Sequence, residues 1–204
     1  MKMLNQKTSF EQYVLGMVLA LLLCNCELGK HQIPAQRMNA AAENWSSQNG
    51  QLFWGNQPFS GYRYALYSPR DTAEMIPFWH GKEEGVARYW HPNGRLREKR
   101  FFKQGKREGT HYGWWEDGKP SFVYHFKADL HQGLAHTWHS NGKSASIFNY
   151  TQGQEDGQQQ AWYDNGVLRL NYVARNGRQY GLTGVKNCAT VWDATVGEFK
   201  EKPE

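Results

Sequence analysis

Between residues 61 and 181, many apolar positions recur at every second residue, and glycine interrupts the alternation at fixed intervals. Gly61, Gly85, Gly109, Gly133, Gly157 and Gly181 stand 24 residues apart. A second column, nine residues into each unit, holds Gly94, Gly118, Gly142 and Gly166, each preceded by Asn93, Asp117, Asn141 or Asn165. A third column reads Gly81, Gly105, Asp129, Gly153 and Gly177. Aromatic columns keep the same period: Trp90, Trp114, Trp138 and Trp162 five residues in, and Phe78, Phe102, Phe126 and Tyr150 seventeen in. Columns that agree at one period mark a repeat array, in which each unit contacts mainly its neighbours.

Each unit predicts one β-hairpin. Asn-Gly or Asp-Gly between alternating strands is a turn signal, because these residues tolerate positive φ. A three-residue loop Pro92-Asn93-Gly94 pairs His91 with Arg95 and sets Trp90 opposite Leu96. The strands then cover roughly 86–91 and 95–102, and "KQGKREG" leads into the next unit. Counting by twos from the leading glycine puts Val86, Arg88, Trp90, Leu96, Glu98, Arg100 and Phe102 on one face. Arg95, Arg97 and Lys99 fall on the other. The later units repeat the aromatic face with Tyr112, Trp114, Phe126, Trp138, Tyr150 and Trp162. No run of helical periodicity survives between the glycines. The expected fold is all-β: an elongated single-layer antiparallel sheet of 24-residue hairpins, about 48 Å long at about 4.8 Å per strand.

The expected organisation is a signal peptide over 1–26, a flexible tether over 27–50, the array over 51–192 and a charged tail over 193–204. Units start near 61, 85, 109, 133 and 157, with capping ends. The run "VLGMVLALLL" at 14–23 follows Lys2 and Lys7. It is too short to span a bilayer as a helix and suits the apolar core of a secretory signal. "LLLCNC" resembles the lipobox of bacterial lipoproteins. Cys26 has Leu23 at its −3 position and Asn25 at −1, whereas Cys24 has Leu23 at −1. Two readings stay open, a lipid anchor on Cys26 and an exported soluble protein. Cys188 has no intrachain partner if Cys26 is lipidated. The expected location is the bacterial cell envelope, in the periplasm or at the outer membrane.

The formal charge of +5 allows an anionic partner. The most basic stretch, "YWHPNGRLREKRFFKQGKREG", divides its charges between two faces and a turn, and an exported chain does not ordinarily meet nucleic acid. No nucleic-acid partner is expected. The column Arg95, Lys119 and Lys143 reads either as solubility or as contact with anionic lipid headgroups, at about 1 kcal/mol per charge.

No catalytic residue, metal site or cofactor is expected. His91 and His139 share a column with Trp115 and Tyr163, a preference for flat rings, while His111, His125 and His131 share none. Glu83, Glu84, Glu108, Glu155 and Asp156 fall between units, where solvated turn residues are expected. The aromatic columns carry two open readings: a ladder that covers the sheet, and a binding face made of Trp90, Trp114, Trp138, Trp162, Phe102, Phe126 and Tyr150.

"WHPNGRLREKRFFKQGKREG", "WHSNGKSASIFNYTQGQEDG" and "WYDNGVLRLNYVARNGRQYG" resemble the MORN-repeat variant of bacterial YwqK-type antitoxin proteins. The resemblance covers roughly residues 61 to 181. It implies elongated hairpin arrays with roles in membrane-proximal scaffolding, lipid contact and protein–protein binding, and supplies no catalytic residue. The antitoxin label implies direct binding of a toxin. The expected function is therefore a non-enzymatic, exported binding or scaffold protein for an unidentified protein partner, with a membrane surface reached through the lipid anchor. The alternatives are an antitoxin or immunity protein and a peripheral binder of anionic lipid.

Overall fold

The computed structural model describes residues 32–184. The chain divides into two units, Met1–Ile33 and Pro34–Glu204, and every strand belongs to the second. The expectations for the signal peptide, Cys24, Cys26, Cys188 and the charged tail fall outside the described residues.

No helix occurs among the described residues. The strands are β1 (Arg37–Asn39), β2 (Trp45–Gln48), β3 (Gln51–Trp54), β4 (Gln57–Pro58), β5 (Gly61–Ser68), β6 (Asp71–Trp79), β7 (Lys82–Glu83), β8 (Gly85–Trp90), β9 (Leu96–Lys103), β10 (Lys106–Arg107), β11 (Gly109–Trp114), β12 (Pro120–Lys127), β13 (Leu130–His131), β14 (Gly133–Trp138), β15 (Ser144–Thr151), β16 (Gln154–Glu155), β17 (Gly157–Trp162), β18 (Leu168–Arg175) and β19 (Arg178–Leu182). The long strands join into one sheet in the order β1-β5-β6-β8-β9-β11-β12-β14-β15-β17-β18-β19. β2, β3 and β4 form a separate three-stranded sheet.

The hairpin turns follow the expectation. Trp90 pairs with Leu96, and the His91 amide donates to the Arg95 carbonyl at 2.8 Å across the loop that ends at Gly94, φ +79°. Asn93 Oδ1 accepts from the Arg95 amide, and Asp117, Asn141 and Asn165 repeat the bond two residues on. The opposite edge is tighter than expected. Gln104 and Gly105 have φ of +52° and +78°, a two-residue turn with positive φ at both positions. His80-Gly81, Ala128-Asp129, Gln152-Gly153 and Asn176-Gly177 repeat it.

A β-bulge in each second strand changes the faces. Tyr89 pairs with Glu98 but Trp90 pairs with Leu96, so Arg97 is an extra residue. Ser121, Ala145 and Arg169 are skipped in the same way. Paired residues share a face. One face therefore carries Ala87, Tyr89, Glu98, Arg100 and Phe102, while the other carries Arg88, Trp90, Leu96 and Lys99. This corrects the expected grouping of Trp90 with Phe102. The two are called here the Phe face and the Trp face.

Three further differences concern the first residues. The segment expected as a tether carries β1 and β2. β1 pairs in parallel with Tyr62–Tyr64 of β5, an exception to the antiparallel order. Trp45 donates its indole N–H to the Asn39 carbonyl at 2.7 Å and packs against Trp54 and Phe59. Lone apolar residues such as Met38 and Trp45 show no period, so the sequence pattern hides this order. The small sheet also adds a second layer. Its Leu52 and Trp54 pack, with Met38 and Trp45, on the core of Phe59, Ile76, Phe78, Ala87 and Phe102.

Candidate binding surfaces

The Phe face is continuous through its rings. Phe102 lies 5.8 Å from His111, His111 4.7 Å from Phe126, Phe126 4.3 Å from His131, and His131 4.9 Å from Tyr150, between ring centroids. Phe122 stacks on Tyr124 at 4.6 Å. The structure thus joins Phe102, Phe126 and Tyr150 through histidines that the sequence periodicity did not place. His111 is buried and donates from Nε2 to the Phe101 carbonyl at 2.8 Å.

Trp90, Trp114, Trp138 and Trp162 lie on the opposite face. Trp114 stacks on Tyr112 at 5.9 Å, and Trp138 contacts His136 at 3.7 Å. Their carbonyls, at the bulge, have another use. Tyr67 Oη, His91 Nε2, Trp115 Nε1 and His139 Nε2 donate to the carbonyls of Trp90, Trp114, Trp138 and Trp162, at 2.9, 2.9, 3.2 and 2.9 Å. The column of flat rings is a column of hydrogen-bond donors that ties each unit to the next. The adjoining bases work similarly: Arg95 donates to the Glu116 carbonyl at 3.3 Å and Lys143 to the Asn165 carbonyl at 3.0 Å.

The other edge is tied in the reverse sense. Gly105, Asp129 and Gly153 donate their amides to the carbonyls of Glu83, Arg107 and His131 in the preceding unit, at 2.8, 3.0 and 2.8 Å. Glu84 and Glu108, expected as solvated turn residues, accept from the amides of Gln104 and Ala128 at 2.6 and 2.9 Å. Glu108→Ala is expected to lower stability by about 1 kcal/mol, read as a lower urea midpoint at unchanged slope.

Electrostatics on the Phe face are paired. Arg63 meets Glu74 at 2.7 Å, Arg97 meets Glu98 at 3.4 Å, and Arg100 Nε donates to Glu98 at 2.7 Å. Burial pushes the Tyr89 hydroxyl up to about 12 and raises the Glu83 carboxyl. Burial holds His111, His131 and His136 below their ordinary 6.5.

Those three histidines bind protons near 6.5 in the unfolded chain and only at lower pH in the folded one. Their stabilisation is therefore complete above about 6.5 and is lost as pH falls from there through the folded values. Glu83 works the other way and offsets part of the loss at the acid end. The urea midpoint is expected to fall between about pH 7.5 and about pH 5.5, and to fall less in His111→Gln.

Beyond the small sheet, a cleft of about 430 Å³ opens at the bulged edge of the Phe face, lined by Glu98, Trp115, Phe122 and Tyr124 and reached by Trp114 and Trp138 of the tryptophan column. A second cleft of about 470 Å³ takes in His139, Ala145, Ser146 and Arg169. His139, Ala145 and Ser146 are the counterparts of Trp115, Ser121 and Phe122 one unit on.

Residues 83–104 match the family model described as MORN repeat variant. The match spans the second hairpin up to its tight turn, and the later hairpins repeat its turns, bulge and pairings. Comparison with curated proteins finds no match.

Proposed function

We propose that this chain is a non-enzymatic binding or scaffold protein that is exported, acts at the cell envelope and presents the Phe face of its hairpin array to a protein partner. One observation carries the reading. The small sheet covers the Phe face around Phe78 and Phe102, while further along it Phe122 and Tyr124 line a cleft and, with Phe148 and Tyr150, stay half-buried outside the core that the small sheet covers. An aromatic patch left open in this way is the mark of an interaction site. The MORN-type hairpin is compatible with that role.

Export and anchoring are proposed from the apolar run at 14–23 and from Cys26. Labelled palmitate incorporated by the wild type and lost in Cys26→Ala supports the anchor, and its absence from the wild type removes it. The function itself is tested by recovering partners from envelope extracts with the wild type and with Tyr124→Ser. Loss of a specific partner in the variant is the expected result. Equal recovery overturns a role for the Phe face.

A further inference from the structure

We infer that the Trp face of the second and third units is a docking surface for an acidic segment of another protein, centred on Arg88 and Lys99, which line neither cleft. The register assembles it. Met75 pairs with Arg88, Arg88 with Lys99, and Lys99 with Tyr112, giving one row of side chains across four strands. Two residues along the same strands, and so on the same face, lie Trp90, Phe101 and Trp114. Arg88, Lys99, Phe101 and Tyr112 are exposed.

The charges in this row have nothing to offset them. Arg88 and Lys99 stand directly opposite one another, an arrangement that destabilises a sheet. Neither makes a hydrogen bond, ion pair or cation–π contact among the described residues. The nearby strand acids, Glu74, Glu83 and Glu98, register with Ala65, Phe78 and Tyr89 on the Phe face. Charge is therefore sorted by face. The Phe face neutralises its arginines internally, and the Trp face presents two unpaired cations inside an apolar rim.

That sorting selects the occupant. A carboxylate set between Arg88 and Lys99 removes their mutual repulsion and gains two charge-assisted hydrogen bonds. Apolar side chains on either side of it meet Phe101, Tyr112 and Trp114. Arginine, methionine and aromatics are the residue types that protein interfaces favour. A nucleic-acid strand needs a track of basic residues along its backbone, whereas the further basic residues on this face, Lys82, Lys103, Lys106 and Lys127, gather at strand ends beside the tight turns. The segment is acidic, with Asp or Glu flanked by apolar residues.

The test uses the full chain and a fluorescein-labelled peptide of three Glu-Phe pairs separated by serine, at low salt. Binding is expected to weaken about tenfold or more in the double variant Arg88→Glu/Lys99→Glu, and to weaken as salt screens the contact. The single change Lys99→Glu is expected to raise the melting temperature while weakening the peptide, because it turns a repulsive pair into an attractive one. If it lowers both, the row is structural and the inference falls. It falls also if the peptide does not bind, or if oligo-dT or vesicles of phosphatidylglycerol in phosphatidylcholine bind more tightly than the peptide with the same sensitivity to the double variant. Partner recovery that depends on Tyr124 but not on Arg88 leaves the Phe-face function standing and removes this one.

Discussion

Replacing Gly113 by valine is expected to lower the stability of the array by about 3 kcal/mol, the upper range for forcing bulk into a packed site. Gly113 is buried in β11 with an ordinary backbone angle, and it pairs with Phe122 on one side and Glu98 on the other. The Phe122 ring lies flat over it. A Cβ built at Gly113 meets Phe122 ring carbons at 2.1 and 2.3 Å. The glycine leaves room that the aromatic ring fills, a pairing that steadies glycine in sheets. Valine displaces the ring from its stack on Tyr124 and narrows the cleft beside it. Chemical denaturation reads the loss. Adding Phe122→Ala to Gly113→Val is expected to cost less than the two changes summed, since one clash underlies both. Strict additivity contradicts this account. Gly118 offers a control of another kind: no atom lies within 4 Å of its added Cβ, and only its φ of +91° resists substitution. Gly118→Ala is a matter of backbone strain alone.

His111→Ala is the second large effect, about 3 kcal/mol, similar to deleting a buried aromatic ring. His111 is 2% exposed, touches Phe102 and Phe126, and satisfies the Phe101 carbonyl. Alanine removes the ring contacts and leaves that carbonyl without its side-chain donor. The same column of the array reads Ala87, His111, Ala135 and Gln159, all buried. Gln159 performs the matching task at the other end. Its Oε1 accepts from the Asn149 amide at 3.0 Å and its Nε2 donates to the Asn149 carbonyl at 2.9 Å. A glutamine is thus already proven in the column, and His111→Gln is expected to retain most of the stability, at a cost of about 1 kcal/mol. Equal losses for alanine and glutamine would mean that ring packing alone matters. A loss for glutamine that is insensitive to pH would also contradict the buried-histidine account.

The period, the turns and the pairing of Trp90 with Leu96 were legible because each depends on local chemistry. Asn93 and Gly94 make their turn with bonds that close within a few residues. The faces were not legible. Alternation counted through the hairpin presumes one residue per position, and Arg97, Ser121, Ala145 and Arg169 each add one. A single extra residue moves the tryptophan column to the other side of the sheet. The bulged residues are two arginines, a serine and an alanine, so no single identity signals the shift. The roles of His111 and Gln159 were hidden for a related reason: their column alternates with alanine, and what unites them is the backbone they reach. Glu108 was read as a solvated turn residue because its partner amide lies 20 residues away. The flat-ring column was visible as a column, but its use depends on a carbonyl 23 residues on. The segment from Met38 to Trp54 has too few apolar residues at regular spacing to announce its strands.

The ties between units run in opposite senses at the two edges. Rings of one hairpin donate forward to the next, and the tight-turn amides of the next donate backward. Each hairpin therefore offers its successor the same fittings that it took from its predecessor. A 24-residue copy inserted between two hairpins would find complementary fittings on both sides, without any change elsewhere. Length in such an array is a heritable quantity, open to adjustment by tandem duplication or deletion of a short stretch of gene, and the reach of its two faces can change in whole steps while each step keeps its own bonds.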